Sequence, residues 1–178
     1  MPYIAQSNRP AFDAHIAPLT KTLLDRGARP TEFGYVIFHA ALAHFEANKR
    51  YAEANKLDGV LGCIEKEFRR RLPSPDPAYV ALHRGPGPSD KELDAAAEPL
   101  VSELLRQGGN EGNFNYAFSR ILYALYLHDP TAIRHQAFCM AIKNASQLLY
   151  DEHVAPYEDL KIAENGDLVE VQDRGIPL

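Results

Sequence analysis

The sequence predicts an all-α fold, a tandem repeat of two three-helix units forming one pseudo-twofold helical bundle, with a short C-terminal β-hairpin. Residues 13–72 lie over residues 94–153 without a gap at a constant offset of 81, the mark of an internal duplication. Apolar residues recur every three or four positions through both copies, the period of a buried helix face. Between the copies, Pro73, Pro75, Pro77, Pro86 and Pro88, with Gly85 and Gly87, form a linker that cannot sustain a regular helix. The chain is thus divided into a first repeat (1–72), a linker (73–89), a second repeat (90–153) and a C-terminal extension (154–178).

Ser7 or Asn8 followed by Pro10 starts the first helix, because proline in the first turn loses no hydrogen bond. Ile16, Leu19, Leu23 and Leu24 form its apolar stripe, and Gly27 is a C-cap. Pro18 interrupts it, and Pro99 repeats the interruption in the second copy. A second helix begins near Thr31 and carries Phe33, Tyr35, Ile37, Phe38, Ala41, Leu42 and Phe45, apolar on more than one face and therefore central. The third runs from about Arg50 to Leu72 and ends on Arg69, Arg70 and Arg71, cations suited to a helix C-terminus. The second copy repeats the plan over about 90–107, 113–128 and 130–153. Beyond it, Leu160-Lys161-Ile162, Asn165-Gly166 and Leu168-Val169-Glu170-Val171 read as the hairpin, with Asn-Gly at a type I′ turn.

Shared residues such as Asp13/Asp94, Gly27/Gly108, Phe33/Phe114 and Tyr35/Tyr116 are read as scaffold. Residues that one copy alone carries are where function is sought. With 46% apolar and 24% charged residues the chain has the composition of a globular protein. Its net charge of −5 is uneven, since residues 1–89 carry 12 Lys/Arg against 9 Asp/Glu and residues 90–178 carry 7 against 15. Oppositely charged halves attract when packed. No apolar run approaches the roughly 18 residues of a membrane span, and the N-terminus lacks a signal-peptide pattern. A cytoplasmic location is expected, with Cys63 and Cys139 as two buried free thiols.

Local enzyme signatures are absent: there is no G-x-S-x-G, no P-loop, no G-x-G-x-x-G, no H-E-x-x-H and no C-x-x-C. His135 and Cys139 stand four apart on a helix but have no evident third ligand, so no metal or cofactor is expected. The loop Gly108 to Gly112 brings backbone N–H groups to a helix start, where an anion can bind. Asn115 and Arg120 put polar groups into an otherwise apolar helical start where copy one has Gly34 and His39.

Gly112-Asn113-Phe114-Asn115-Tyr116, together with Val154-Ala155-Pro156-Tyr157-Glu158-Asp159-Leu160-Lys161-Ile162-Ala163-Glu164-Asn165-Gly166-Asp167, resembles a family of short, functionally uncharacterised proteins of phages and prokaryotes. The opening Met1-Pro2-Tyr3-Ile4 also fits. The family's elements are split here: copy one keeps Tyr51, Asn55, Gly59-Val60-Leu61 and Glu67-Phe68 with Arg70-Arg71, while copy two keeps Asn115-Tyr116 and Pro156 to Asp167 and has Asp151-Glu152 in place of the arginine pair. The resemblance implies a duplicated family unit and imports no activity.

The function expected is therefore that of a non-catalytic helical binding or interaction protein, with an enzyme or sensor for an anionic small molecule such as a nucleotide as the alternative. The ligand-binding residues expected are Asn115, Tyr116, Arg120, Tyr157, Glu158 and Lys161 of copy two, with Arg70 and Arg71 of copy one. Arg70 and Arg71 could pair with Asp151 and Glu152 across the pseudo-twofold, though ordinary solvated helix ends are the favoured reading. An acidic chain with one short arginine cluster argues against nucleic acid. The partner is an unidentified protein or a small anion, no membrane is involved, and self-association is left open.

Overall fold

The computed structural model describes residues 4–72 and 89–165. A 3₁₀ turn at Gln6–Asn8 leads into α1 (Arg9–Asp25), followed by α2 (Pro30–Ala47), α3 (Tyr51–Arg71), α4 (Lys91–Arg106), α5 (Glu111–His128) and α6 (Ala132–Leu149). A five-residue π turn, Tyr150–Val154, joins α6 to α7 (Ala155–Asn165). At the 81-residue offset α1, α2 and α3 correspond to α4, α5 and α6. Both α1 and α4 run on through their internal prolines, Pro18 and Pro99.

The C-terminal β-hairpin is not formed, and the described residues contain no strand. Leu160-Lys161-Ile162, expected as its first strand, lies within α7. The segment from Ala155 to Asn165 is rich in Glu, Leu, Lys and Ala, strong helix formers, and Pro156 sits at the second residue of the helix, where proline is tolerated. A three-residue apolar run does not compete with that. Residues 166–171 lie outside the described region.

The two copies are intertwined. α2 packs on α6, α5 on α3, α1 on α4 and α5, and α2 on α4, whereas α2 with α3 and α5 with α6 meet only marginally. Phe33 of copy one accordingly packs edge-on against Phe118 and Phe138 of copy two, with ring centroids 6.3 and 5.8 Å away. Phe12, Phe33, Phe45, Phe68, Phe118 and Phe138 are fully buried in one continuous core. Truncating any of these to alanine costs about 3–5 kcal/mol, and the loss falls on both copies.

Two identities in the repeat gain a physical meaning. Tyr116 Oη donates to Asp13 Oδ1 at 2.9 Å, and Tyr35 Oη donates to Asp94 Oδ1 at 2.5 Å. These are the same tyrosine and the same aspartate of the repeat, each reaching from one copy to the other. A twofold-related interface requires this reciprocity. The uneven charge of the halves is visible in Arg26 of copy one, which pairs with Asp90 and Glu92 as well as Glu32.

Both α1–α2 and α4–α5 connections use two successive left-handed residues, Gly27 and Ala28 (φ +93° and +52°) and Gly108 and Gly109 (φ +76° and +62°). Ala28 N–H donates to Leu23 O and Gly109 N–H to Leu104 O, which closes the helix ends.

Candidate functional site

The pseudo-symmetry breaks where α5 crosses α3. On the equivalent crossing α2 and α6 approach closely: a Cβ placed on Gly34 would lie only 3.2 Å from the Ala141 methyl. The matching positions are Asn115 and Val60, and α5 packs less intimately on α3 than α2 does on α6. A cleft of about 770 Å³ opens there, between α3, the start of α5, the end of α4 and the N-terminal turn.

Asn115 belongs to the wall of this cleft and is 3% exposed. Its Oδ1 accepts from Ser119 Oγ at 3.2 Å, while its Nδ2 is sealed from solvent and has no partner among the described residues. A buried amide donor left unpaired costs about 1–3 kcal/mol, a price the glycine of copy one avoids. Asn8, Gln107, Asn110 and Asn113 line the same cleft. Asn110 Oδ1 caps α5 by accepting from Gly112 N–H at 2.8 Å, and Gln107 Nε2 donates to Glu103 Oε1 at 2.9 Å. Arg106 and Gln107 together hold the Glu103 carboxyl down at about 2.

At the rim one cation serves two carboxylates. Lys56 lies 3.9 Å from Glu111 and 2.9 Å from Glu53. The amides of copy two replace charged residues of copy one, with Gln107 matching Arg26, Asn110 matching Arg29 and Asn113 matching Glu32. In copy one those three close on one another, Arg26 at 3.0 Å and Arg29 at 3.7 Å from Glu32. One end of the bundle is filled by an ion network and the other is left open among carboxamides.

Cys63 also lines the cleft and is exposed, which corrects the expectation of two buried thiols. The core stripe of α3 runs through Leu57, Val60, Leu61, Ile64 and Phe68, and Cys63 projects off it. Cys139 is buried, its thiol pushed up to about 11 by desolvation. Its Sγ lies 4.0 Å from His135 Nδ1, and His135 stacks on Phe68 at 4.5 Å. No group of three metal-ligating side chains occurs among the described residues.

The eight residues singled out in the sequence fall in four places. Tyr116 and Arg120 face α1: Arg120 Nη1 donates to Tyr116 Oη at 3.3 Å, and Arg9 and Arg120 lie 5.4 and 5.8 Å from the tyrosine ring centre. Burial, then the bond to Asp13, raises the Tyr116 hydroxyl. Asn115, next to Tyr116 in sequence, belongs instead to the α3–α5 cleft. Tyr157, Glu158 and Lys161 cluster on α7, where Tyr157 packs on Phe45, Glu158 accepts from Tyr150 Oη and Lys161 lies 5.7 Å from the Tyr157 ring centre. Arg70 and Arg71 sit at the end of α3, both bonded to Glu67 of their own helix. Asp151, their candidate counterpart, accepts from Gln147 Nε2 at 2.8 Å.

The sequence is matched twice by the domain of unknown function DUF6899, over residues 1–79 and 90–168. The chain belongs to the DUF6899 family. It is a tandem form of that family's domain, and the two matches bracket the intertwined helices described above. No curated protein and no solved structure matches the chain. None of the described helices is long and apolar enough to cross a membrane.

The cleft-lining amides Gln107, Asn110 and Asn113 were outside the sequence-based set. Their signal was present in the repeat alignment, where each faces a charged residue of the other copy.

Proposed function

We propose that this protein is a non-catalytic binding protein whose ligand site is the cleft at the α3–α5 crossing. The buried Asn115 amide in its wall carries the reading: it wedges a crossing that glycine closes in the other copy and leaves a donor without a partner. Cys63 is the nucleophile that lines the cleft, and no histidine among the described lining residues stands beside it as a base. The repeats 1–72 and 90–153 act as halves of one bundle, in the cytoplasm of a prokaryote or a phage-infected cell.

The test uses Gly59, which lies on the cleft wall with open space where a side chain would project. Gly59→Leu sends a side chain from a position whose Cβ meets nothing within 4 Å toward the cleft, and gains roughly 1 kcal/mol of helix propensity. A fragment library titrated into the full chain is expected to shift the amide resonances of Gly59, Gly112 and Asn115 in two-dimensional NMR spectra, and Gly59→Leu abolishes those shifts. Fragments that bind only elsewhere refute the assignment.

A second reading is favoured by Arg9 and Arg120 against Tyr116. Two guanidinium groups face one carboxylate, Asp13, and Arg9 Nε is buried without a partner among the described residues. An oxyanion would balance that charge. Inorganic phosphate that shifts Tyr116 and Arg120 resonances in the wild type but not in Arg120→His, the residue of copy one, supports it.

A further inference from the structure

We infer that the α3–α5 cleft selects an uncharged ligand that presents a hydrogen-bond donor and acceptor side by side, as a carboxamide or a nucleobase edge does. This rests on the cleft being the binding site and adds what it takes.

A carboxamide offers one acceptor oxygen and two donor hydrogens on neighbouring atoms. Asn8, Gln107, Asn110, Asn113 and Asn115 surround the cleft with that chemistry. Its two charged members, Lys56 and Glu111, face each other at 3.9 Å, and Lys56 is held by Glu53 as well. Among the lining residues the two charges cancel. An ionic ligand entering among neutral amides loses its hydration without gaining a counter-charge, a loss of solvation that hydrogen bonds to neutral groups recover only in part. A neutral ligand with paired donor and acceptor loses little and can pair with the carboxamides that line the wall.

The other end of the same molecule serves as the control. There the matching positions carry Arg26, Arg29 and Glu32, and the charges are consumed by one another and by Asp90 and Glu92. The duplicated scaffold tolerates a charged, closed end, so the amides of copy two are not demanded by folding. Among the described residues no aromatic side chain lines the cleft wall. Recognition by those residues depends on hydrogen bonds and shape, since they provide no stacking platform of the kind that holds bases without regard to their edges.

The experiment compares benzamide, benzoate and benzamidinium, which share size and shape but are neutral, anionic and cationic, with adenine as a probe of base-edge recognition. Each is titrated into the full-length protein with the Gly59, Gly112 and Asn115 resonances as readout. Benzamide or adenine is expected to bind about ten-fold more tightly than either ion, roughly the worth of one hydrogen bond. Benzamide ahead of adenine assigns a carboxamide ligand, and the reverse assigns a base. Asn115→Leu, close in size, is expected to cut benzamide affinity by about the same factor while leaving the melting temperature unchanged or higher, since it removes an unsatisfied donor. A cleft that binds benzoate or benzamidinium as well as benzamide overturns the inference and leaves the cleft as a binding site. Cleft shifts with other fragments but with none of these four also overturn it. A cleft silent to every compound overturns both readings.

Discussion

Gly109→Ala tests how the two copies use a connection they share. Gly109 and Ala28 are equivalent in the repeat and both left-handed, so a methyl at 109 bears a backbone penalty of about 1–2 kcal/mol that Ala28 already bears. The surroundings differ. A Cβ on Gly109 would lie 2.0 Å from His44 Cε1 and 2.4 Å from His44 Nδ1, so the imidazole must leave. It then loses its 3.3 Å contact with Glu53, where the two side chains are 9% and 13% exposed. Disrupting a buried polar pair of this kind costs about 1–3 kcal/mol. The total is about 2–5 kcal/mol, or a fall in melting temperature of about 5–15 °C for a chain of this length. Urea unfolding of Gly109→Ala, His44→Ala and the double variant forms the assay. Removing the imidazole first vacates the space, so the double variant should be more stable than additivity predicts by at least about 1 kcal/mol. Ala28→Gly, which trades a buried methyl for relief of left-handed strain, should stay within about 1 kcal/mol of the wild type. If Gly109→Ala is neutral, or if its effect simply adds to that of His44→Ala, the packing argument is wrong.

Removing one hydroxyl of the reciprocal pair, Tyr35→Phe or Tyr116→Phe, should lower stability by about 1–3 kcal/mol, because each hydrogen bond goes to a carboxylate; the effects are read from urea midpoints. Burial holds both His135 and His39 below the ordinary histidine value, so the unfolded chain binds protons that the folded chain refuses. Stability should be full above about pH 6.5 and fall as the medium is acidified below it, with His135→Phe flattening the slope. Glu103, held at about 2, adds its own loss of stability only below its ordinary value of 4.5. A thiol reagent at neutral pH should modify Cys63 rapidly and Cys139 only on unfolding, which mass spectrometry resolves site by site.

The helices of both repeats were legible because their apolar periods are long and their boundaries carry proline, glycine and capping residues. Pairing Asp13 with Asp94 and Tyr35 with Tyr116 identified scaffold positions, but the alignment compares residues that are equivalent and so could not show that Tyr116 touches Asp13. Contact across a pseudo-twofold joins unlike positions of the repeat. That the hairpin is not formed is not legible from Asn165-Gly166, a turn signal that is local, whereas the helix propensity of residues 155–165 acts over the whole segment and prevails. Asn115 was found as a mismatch with Gly34, yet its separation from Tyr116 was not legible: successive residues of a helix point about 100° apart, and which element faces each follows from packing. Arg70 and Arg71 look available in sequence, but Glu67 one turn back on the same helix binds both.

The intertwined arrangement has a consequence for what substitution can do. In a twofold assembly of separate identical subunits every change is made twice, so a wedge at one helix crossing is a wedge at both, and the core would lose two tight contacts for one opening. Covalent joining makes the two crossings separately editable. Gly34 against Ala141 keeps one shut while Asn115 and Val60 hold the other apart. It also leaves one such crossing per chain, with both of its walls, α3 and α5, drawn from the same polypeptide.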